Sequence, residues 1–293
     1  AYGNNLCVAI ANNDKYCAVS SDSGITWGEY EISSTIRDWN TIIYKDGYFI
    51  ASEYNSNVLA KSVDGITWVE SNLISEYSIK DSIITDNGVI ICIGYGSDLL
   101  YSYDNGSNWE IRPILPGFNK FHAIAKNGNV LKIVMNNDSY PVNNLLTSND
   151  NGETWEVSML DLPITQTNIC DVAFNDNLTG FTNESNEFVV FNGSSYVSGT
   201  TTNAKCYSYN DKMIIFGLEN TLKIIDSELN IVNKIVTTTA RKWVDMMSND
   251  NLIIAIADNY THALVSSNSG ETWTEHQISA TAHNWSKIMF GNG

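Results

Sequence analysis

Short apolar stretches alternate with turns rich in Asn, Asp and Gly along the whole chain. Within these stretches apolar and polar residues tend to alternate, a period of two that is typical of strands with one buried face. The segment Trp39–Ala51, for example, reads as two strands joined by a Lys-Asp-Gly turn. No stretch carries the period of an amphipathic helix. The pattern therefore predicts an all-β protein.

One turn sequence returns five times and combines a Ser, an Asp or Asn two residues later, a Gly and a Trp. The copies are Ser20–Trp27, Ser62–Trp68, Ser102–Trp109, Ser148–Trp155 and Ser266–Trp273. Its carboxylate can accept hydrogen bonds from the backbone of the turn, and its Gly supplies positive φ. The residues to which we assign this structural role are Asp22, Asp64, Asp104, Asp150, Asn268, Trp27, Trp68, Trp109, Trp155 and Trp273.

The Trp that follows each turn is expected to pack between neighbouring modules. A calcium loop is the alternative reading of the Asp residues. An EF-hand loop also needs a Glu six residues after its Gly, and flanking helices. We therefore expect these turns to be structural and the chain to bind no metal and no cofactor.

The spacing of the repeats predicts seven modules. In the first four copies of the turn, the Trp residues are 41, 41 and 46 residues apart. The gap from Trp155 to Trp273 holds two degenerate copies, in which Tyr196 and Ile231 take the Trp positions. A recurrent two-strand segment like Trp39–Ala51 supports the same count. Repeats of about 42 residues are typical of β-propeller blades.

The predicted fold is a seven-bladed β-propeller with four-stranded antiparallel blades in a single domain, 1–293. Its C-terminal strand completes the first blade, a three-plus-one closure that leaves no unpaired gap. The predicted blades are 1–32 plus 283–293, 39–74, 79–116, 121–162, 169–199, 204–237 and 243–279.

The repeated turn resembles the Asp-box, or BNR repeat, of sialidases and many other β-propellers. The resemblance covers the whole chain. The repeats are similar to those of uncharacterised BNR propellers of bacterial and phage proteins. The resemblance implies a propeller whose Asp-boxes lie at the edge, away from the ligand face. It also implies that the chain is part of a larger surface or virion protein and that it recognises glycans.

Composition narrows the classes of partner. The net charge of −17 argues against nucleic acid and anionic membrane surfaces, and no run of 18 apolar residues occurs that could insert in a membrane. The chain begins without Met or a signal peptide, so we expect a segment of something longer. Its five cysteines, Cys7, Cys17, Cys92, Cys170 and Cys206, lie among apolar residues, which favours buried free thiols and synthesis in a reducing cytoplasm.

Binding residues are expected in the loops opposite the repeated turns, because loops on a rigid scaffold usually carry function. These loops are rich in Asn, Asp, Tyr and Trp, a mixture that suits sugars but that turns require anyway. The candidate ligand-binding residues are Arg37, Trp39, Tyr54, His122, Arg241, Trp243, Tyr260, His283 and Trp285. Packing between blades is the alternative for the three Trp residues, and Arg37 and Arg241 share one repeat position that could equally be structural.

Catalysis is not expected. Sialidases clamp their substrate with three arginines, whereas Arg112, one of only three here, lies in a predicted outer strand. Another glycoside hydrolase would need two carboxylates across a cleft. Asp38, Glu53, Asp98, Asp138, Glu187 and Asp258 are the candidates by loop position. The sequence thus favours a non-catalytic propeller that binds a glycan or other cell-surface ligand, with a protein-interaction scaffold as the alternative and a non-sialidase hydrolase as a third reading.

Overall fold

A computed structural model describes residues 6–54, 56–73, 77–94, 96, 98–114, 120–137, 140–160, 162–163 and 169–291. These residues form strands and turns, and no helix capable of crossing a membrane occurs among them. The chain divides into two compact units, Ala1–Ile79 with Arg241–Gly293 (unit 1) and Lys80–Ala240 (unit 2).

Unit 1 carries three four-stranded antiparallel blades. Blade 1 has the strand order β29-β1-β2-β3, blade 2 the order β4-β5-β6-β7, and blade 7 contains β25-β26-β27-β28. Their bounds are β1 Leu6–Ala11, β2 Tyr16–Ser20, β3 Gly28–Glu31, β4 Trp39–Lys45, β5 Tyr48–Glu53, β6 Val58–Ser62, β7 Val69–Asn72, β25 Arg241–Asn249, β26 Leu252–Ala257, β27 His262–Ser266, β28 Thr274–Gln277 and β29 Trp285–Gly291.

Unit 2 carries four further antiparallel blades. Blade 3 is β8-β9-β10-β11, blade 4 β12-β13-β14-β15, blade 5 β16-β17-β18-β19 and blade 6 β20-β21-β23-β24. Their bounds are β8 Ile79–Ile84, β9 Ile90–Gly94, β10 Asp98–Ser102, β11 Glu110–Pro113, β12 Lys120–Asn127, β13 Val130–Asn137, β14 Tyr140–Ser148, β15 Glu156–Met159, β16 Ile169–Phe174, β17 Thr179–Asn183, β18 Glu187–Phe191, β19 Tyr196–Thr200, β20 Lys205–Tyr209, β21 Lys212–Phe216, β22 Leu218–Glu219, β23 Thr221–Ile225 and β24 Ile231–Ile235.

The fold is therefore the predicted seven-bladed β-propeller. The C-terminal strand β29 pairs with β1 in the register Cys7↔Phe290 to Ile10↔Lys287, which confirms the three-plus-one closure of blade 1. That 1–293 forms a single domain stays a prediction.

The repeated turn is held by one hydrogen-bond network. In the first copy Ser20 Oγ donates to Asp22 Oδ1 at 2.9 Å and accepts from the Gly24 N–H at 2.9 Å. Asp22 Oδ1 accepts from the Thr26 N–H at 2.8 Å, and Trp27 Nε1 donates to the Gly24 carbonyl at 2.9 Å. Asn268 replaces the carboxylate in the fifth copy and accepts equivalent bonds from Ser266 and Thr272.

Three glycines of this turn, Gly24, Gly65 and Gly152, bring the turn close to a strand of another blade. A Cβ on Gly24 would lie 2.8 Å from Ile254 of blade 7, and one on Gly65 would lie 2.9 Å from Val8 of blade 1. Trp27 and Trp68 pack against the apolar clusters at the same two boundaries between blades. Trp27 and Trp68 therefore pack between blades in unit 1, and Trp155 packs in the same way between blades 3 and 4 in unit 2.

The two degenerate turns keep the hydrogen bonding, but the side chains at their predicted Trp positions are exposed. Asn192 accepts from the Ser195 N–H at 2.9 Å, and Asp226 accepts from the Asn230 N–H at 2.8 Å. Tyr196 and Ile231 are 52% and 39% exposed, whereas the five Trp residues are all partly buried. The prediction that Tyr196 and Ile231 replace the Trp is therefore wrong, because both are the first residues of the outer strands β19 and β24 and stay at the surface.

All five cysteines are free, and four are buried while Cys170 is partly exposed. Cys7 and Cys17 belong to different apolar clusters, as expected for residues on opposite faces of one hairpin. Burial raises the pKa of both thiols to about 12, so these groups are inert thiols at neutral pH.

Candidate functional site

Three connections that enter a first strand share the pattern Ser/Thr-x-Thr-x-Arg/His-x-Trp. They are Ser33–Trp39, Thr237–Trp243 and Ser279–Trp285. The Arg or His of this pattern is a candidate ligand-binding residue in each case. We call these three side chains, Arg37, Arg241 and His283, the connection residues.

Arg37 is enclosed by carboxylates of blade 2. Its Nε and Nη2 donate to Glu70 at 3.2 and 2.9 Å, and its Nη1 donates to Glu53 at 3.0 Å. Ser33 Oγ accepts a further bond from Nε at 3.2 Å. Burial acts to lower the pKa of Arg37, but Glu70 and Glu53 raise it. Burial likewise acts to raise the pKa of Glu70, but Ser33 and Arg37 hold it below its ordinary value. All three guanidinium nitrogens thus donate to partners within the protein.

His283 is 9% exposed and faces two carboxylates of blade 1. Its Nδ1 contacts Asp14, and its Nε2 lies 3.0 Å from Glu29 and 3.1 Å from Ser279 Oγ. Asp14, His283 and Ser279 have the composition of a hydrolytic triad. The Ser279 hydroxyl, however, donates to Glu29 and accepts from the Thr281 N–H at 3.2 Å, so its proton is directed away from the imidazole. The cluster is a hydrogen-bonded network that joins the final connection to blade 1.

Arg241 is held by Tyr260, another candidate residue of blade 7. Its guanidinium lies 4.1 Å from the ring centre of Tyr260, and Nη2 is 3.2 Å from the Tyr260 hydroxyl. That hydroxyl donates to Glu275 at 2.8 Å. Because burial and Glu275 outweigh the attraction of Arg241, the pKa of Tyr260 is raised. Arg241 and Tyr260 are therefore also engaged with neighbouring side chains.

The Trp candidates lie in the core. Trp39, Trp243 and Trp285 are at most 1% exposed, so their rings offer no face to a ligand. Trp285 Nε1 donates to the Tyr260 carbonyl at 2.9 Å, while Trp39 Nε1 has no hydrogen-bond partner among the described residues. The packing alternative describes these three residues, because each is the first or an early residue of a first strand buried against its neighbours.

Most of the carboxylates considered for hydrolysis already have partners within the protein. Glu53 accepts a hydrogen bond from Arg37 at 3.0 Å, Asp258 pairs with Lys242 at 2.7 Å, and Glu187 accepts from Asn183 at 2.7 Å. Asp38 accepts from the Asn13 N–H, and its carbonyl binds the N–H of the half-buried Tyr54. Asp98 lies at the start of β10, and Asp138 lies outside the described residues.

A different group of side chains gathers on the first strands of unit 2. Lys80 on β8 places Nζ 3.0 Å from Nδ1 of His122 on β12, and His122 is only 7% exposed. Cys170 on β16 and Lys205 on β20 interact electrostatically with Lys80. We call Lys80, His122, Cys170 and Lys205 the inner-strand cluster, because each lies on the first strand of its blade.

β-Bulges position two of these side chains. The pairing of β12 with β13 shifts at His122, and the pairing of β16 with β17 shifts at Cys170. A bulge turns the extra side chain out of the regular alternation, which is why bulges often accompany binding sites. The next residue along β8 and β16 is an Asp whose carboxylate accepts an N–H from another first strand, Asp81 from Ile124 at 3.2 Å and Asp171 from Cys206 at 3.1 Å. These bonds fix the strands that carry the cluster.

The electrostatics of the cluster are unfavourable to its cations. Burial lowers the pKa of Lys80, and repulsion from Lys205 lowers it further, although Cys170, Asp81 and Glu184 act in the opposite direction. Burial raises the pKa of Cys170, so its thiol, 3.4 Å from Thr182 Oγ1, stays protonated at neutral pH. The arrangement can bind an anion through its ammonium groups, and it lacks an activated thiolate.

Sequence reasoning identified His122 and missed its companions. Lys80 and Lys205 look like ordinary polar positions of a strand, and Cys170 was expected to be a buried thiol. The one available signal was that each lies at the start of a first strand, at related repeat positions. No group of His, Cys, Asp and Glu able to hold a metal occurs in the described part of the chain.

No family model and no curated protein matches the chain. Solved structures do resemble it. YCF48 from Cyanidioschyzon merolae is 15% identical with a TM-score of 0.62, over 85% of this chain and 88% of that one. YCF48 bound to D1 peptide is 14% identical with a TM-score of 0.60, over 82% and 81%. A catalytically inactive virginiamycin B lyase from Staphylococcus aureus with quinupristin is 13% identical with a TM-score of 0.63, over 87% and 92%. At these identities the likeness is one of fold, that of seven-bladed β-propellers.

Proposed function

We propose that this chain is a non-catalytic binding propeller of the Asp-box type, and that its inner-strand cluster takes an acidic segment of a partner protein. The observation that carries the proposal is the close approach of Lys80 to His122 beside Lys205 in a protein whose net charge is −17. Lys205 repels the Lys80 ammonium, and side chains whose pKa is shifted by burial and by a neighbouring charge concentrate at functional sites. A bound carboxylate would relieve the repulsion.

A peptide fits this site better than a neutral sugar. Sugar recognition needs exposed aromatic faces, and the three Trp candidates have none. Arg37 is already paired with Glu53 and Glu70, His283 contacts Asp14 and Glu29, and Arg241 is stacked on Tyr260. Of the similar structures, YCF48 is described as bound to D1 peptide, which makes a peptide a natural first ligand to test here. A glycan, the expectation from sequence, becomes an alternative outcome of that test.

Hydrolysis has less support. A glycosidase needs a carboxyl group with a raised pKa that can act as an acid. Arg37 instead keeps the pKa of Glu70 low and occupies Glu53. Glu53 and Glu70 are thus both committed to Arg37.

Binding of labelled hexaglutamate, followed by fluorescence anisotropy with hexaglutamine as the neutral reference, tests the proposal. We expect hexaglutamate to bind more tightly, and Lys80→Met to weaken it at least about tenfold, equivalent to about 1.4 kcal/mol. Lys126→Met is the matched control, because Lys126 pairs with Asp86 elsewhere in unit 2. Equal affinity for the two peptides, or equal loss in both variants, would refute the proposal. Binding to an acidic glycan but not to hexaglutamate would replace the peptide by a sugar.

The same variant gives a second readout in stability. Lys80 has a lower pKa in the folded chain than when unfolded, so the unfolded state binds more protons between the two values. The penalty is fully present below the folded pKa, and stability should rise with pH through that window. Lys80→Met should therefore raise the urea midpoint below that window and flatten its rise with pH through the window. A lower midpoint in Lys80→Met would mean that the ammonium stabilises the fold.

A further inference from the structure

The outermost strand of each blade has a free edge, and most of these edges are acidic. Five outer strands carry Glu, namely β3, β7, β11, β15 and β28. The outer strands of blades 5 and 6, β19 and β24, carry no acidic residue. Charged residues on an edge prevent it from pairing with another strand. Blades 5 and 6 lack that protection, and they are also the blades with degenerate turns.

The edge of blade 6 is the more apolar of the two. Ile231, Val232 and Ile235 of β24 are 39%, 54% and 76% exposed, and the remaining residues are Asn233 and Lys234. β-Branched residues of this kind favour a paired strand. β19 instead contains Gly199, which weakens a strand. Among the described strands, β24 pairs with β23 alone.

The hydrogen bonding of β24 determines which of its residues face outward. The Val236 N–H donates to the Asn220 carbonyl, which lies on the β23 side. Backbone groups alternate between the two sides of a strand, so Lys234 and Val232 also bond toward β23. The N–H and C=O groups of Ile231, Asn233 and Ile235 therefore point to the free edge.

We propose that β24 pairs with β24 of a second copy of this chain, antiparallel and centred on Asn233. In this register Asn233 lies opposite its counterpart, and Ile231 of each copy lies opposite Ile235 of the other. All three outward residues of each strand then exchange their backbone bonds, and the exposed Ile side chains cover one another. Val232 lies beside Lys234 of the other copy on the second face.

A second copy suits this edge because the pairing is self-complementary, as an isologous dimer requires. Two chains of net charge −17 repel each other, so contact is favoured where acidic side chains are absent and Lys234 supplies a cation. The site is separate from the inner-strand cluster, so the proposal is independent of the proposed function.

Sedimentation equilibrium tests the dimer. The mean mass should rise from that of one 32.5 kDa chain toward twice that value between about 1 and 300 µM, as for a small interface. Asn233→Pro removes an outward N–H that the β23 ladder does not use, and it should weaken association at least about tenfold. Asn72→Pro is the matched control on β7, since the Leu73 N–H bonds to Asn57 and the Asn72 N–H therefore faces outward.

Two further variants keep the test decisive if the Pro variant unfolds. Ile235→Glu should weaken association to a similar degree by adding an acid to the edge. Asn233→Cys should form a disulfide-linked dimer under mild oxidation, because facing residues at the centre of the register lie within disulfide reach, whereas Asn72→Cys should not. A wild-type chain that stays monomeric over the whole range, or equal loss in Asn233→Pro and Asn72→Pro, would overturn the proposal.

Discussion

Replacing Arg37 by Met tests whether this connection residue stabilises the fold. Three hydrogen bonds link Arg37 to Glu53 and Glu70. A buried bond to a charged group contributes about 1.5–3 kcal/mol, and an exposed ion pair about 0–1 kcal/mol. Arg37 is 23% exposed and its partners are 16% and 33% exposed, between these limits. We therefore expect Arg37→Met to lower the free energy of unfolding by about 2 kcal/mol.

Urea denaturation followed by tryptophan fluorescence measures this loss, and thermal unfolding should show a decrease in Tm of about 4 °C. Adding Glu70→Gln should recover about 1 kcal/mol, because it removes a carboxylate left without its cation. Lys126→Met, at a more exposed pair with Asp86, should change stability by about 0.5 kcal/mol or less.

Two results would refute this reasoning. Equal changes in Arg37→Met and Lys126→Met would show that solvent screens the Arg37 pairs completely. Loss of ligand binding in Arg37→Met at an unchanged urea midpoint would return Arg37 to the recognition role that its loop position suggested.

Two matched pairs of substitutions test the packing. Gly152→Ala should cost about 2–5 kcal/mol and Gly193→Ala about 1–2 kcal/mol, because both have positive φ but only at Gly152 would a Cβ lie 2.4 Å from Ile91; equal urea midpoints for the two variants would contradict the close approach. Trp285→Phe should cost about 1 kcal/mol more than Trp39→Phe, because only the indole N–H of Trp285 has a partner. Equal losses by chemical denaturation would show that these hydrogen bonds contribute nothing to the difference.

The fold was predictable because its information is local and repeated. A period of two, a turn with Asp and Gly, and a Trp after the turn are each readable within eight residues, as at Ser20–Trp27. Repetition then corrects errors, since the degenerate copies near Gly193 and Asp226 are recognised from their position in the series. Even there the side-chain outcome was missed, because the exposure of Tyr196 and Ile231 depends on what surrounds the outer strand.

The candidate site depended on contacts between blades. Arg37 and His283 occupy loop positions that suggest recognition, and only the tertiary structure places Glu70 and Glu29 of the following blade against them. Lys80 and His122 are 42 residues apart and meet because two first strands lie side by side. Their backbone patterns are those of any strand, so nothing local distinguishes them.

The sequence by itself determined the number of blades, the closure by the last strand and the structural role of the repeated turn, because each of these follows from short-range pattern and count. The tertiary structure decided which polar side chains are paired within the protein, and it placed Lys80 close to His122 and Lys205. That decision depends on bulges at His122 and Cys170 and on burial beside other strands. Such features arise from distances between residues far apart in the chain, which no local pattern encodes.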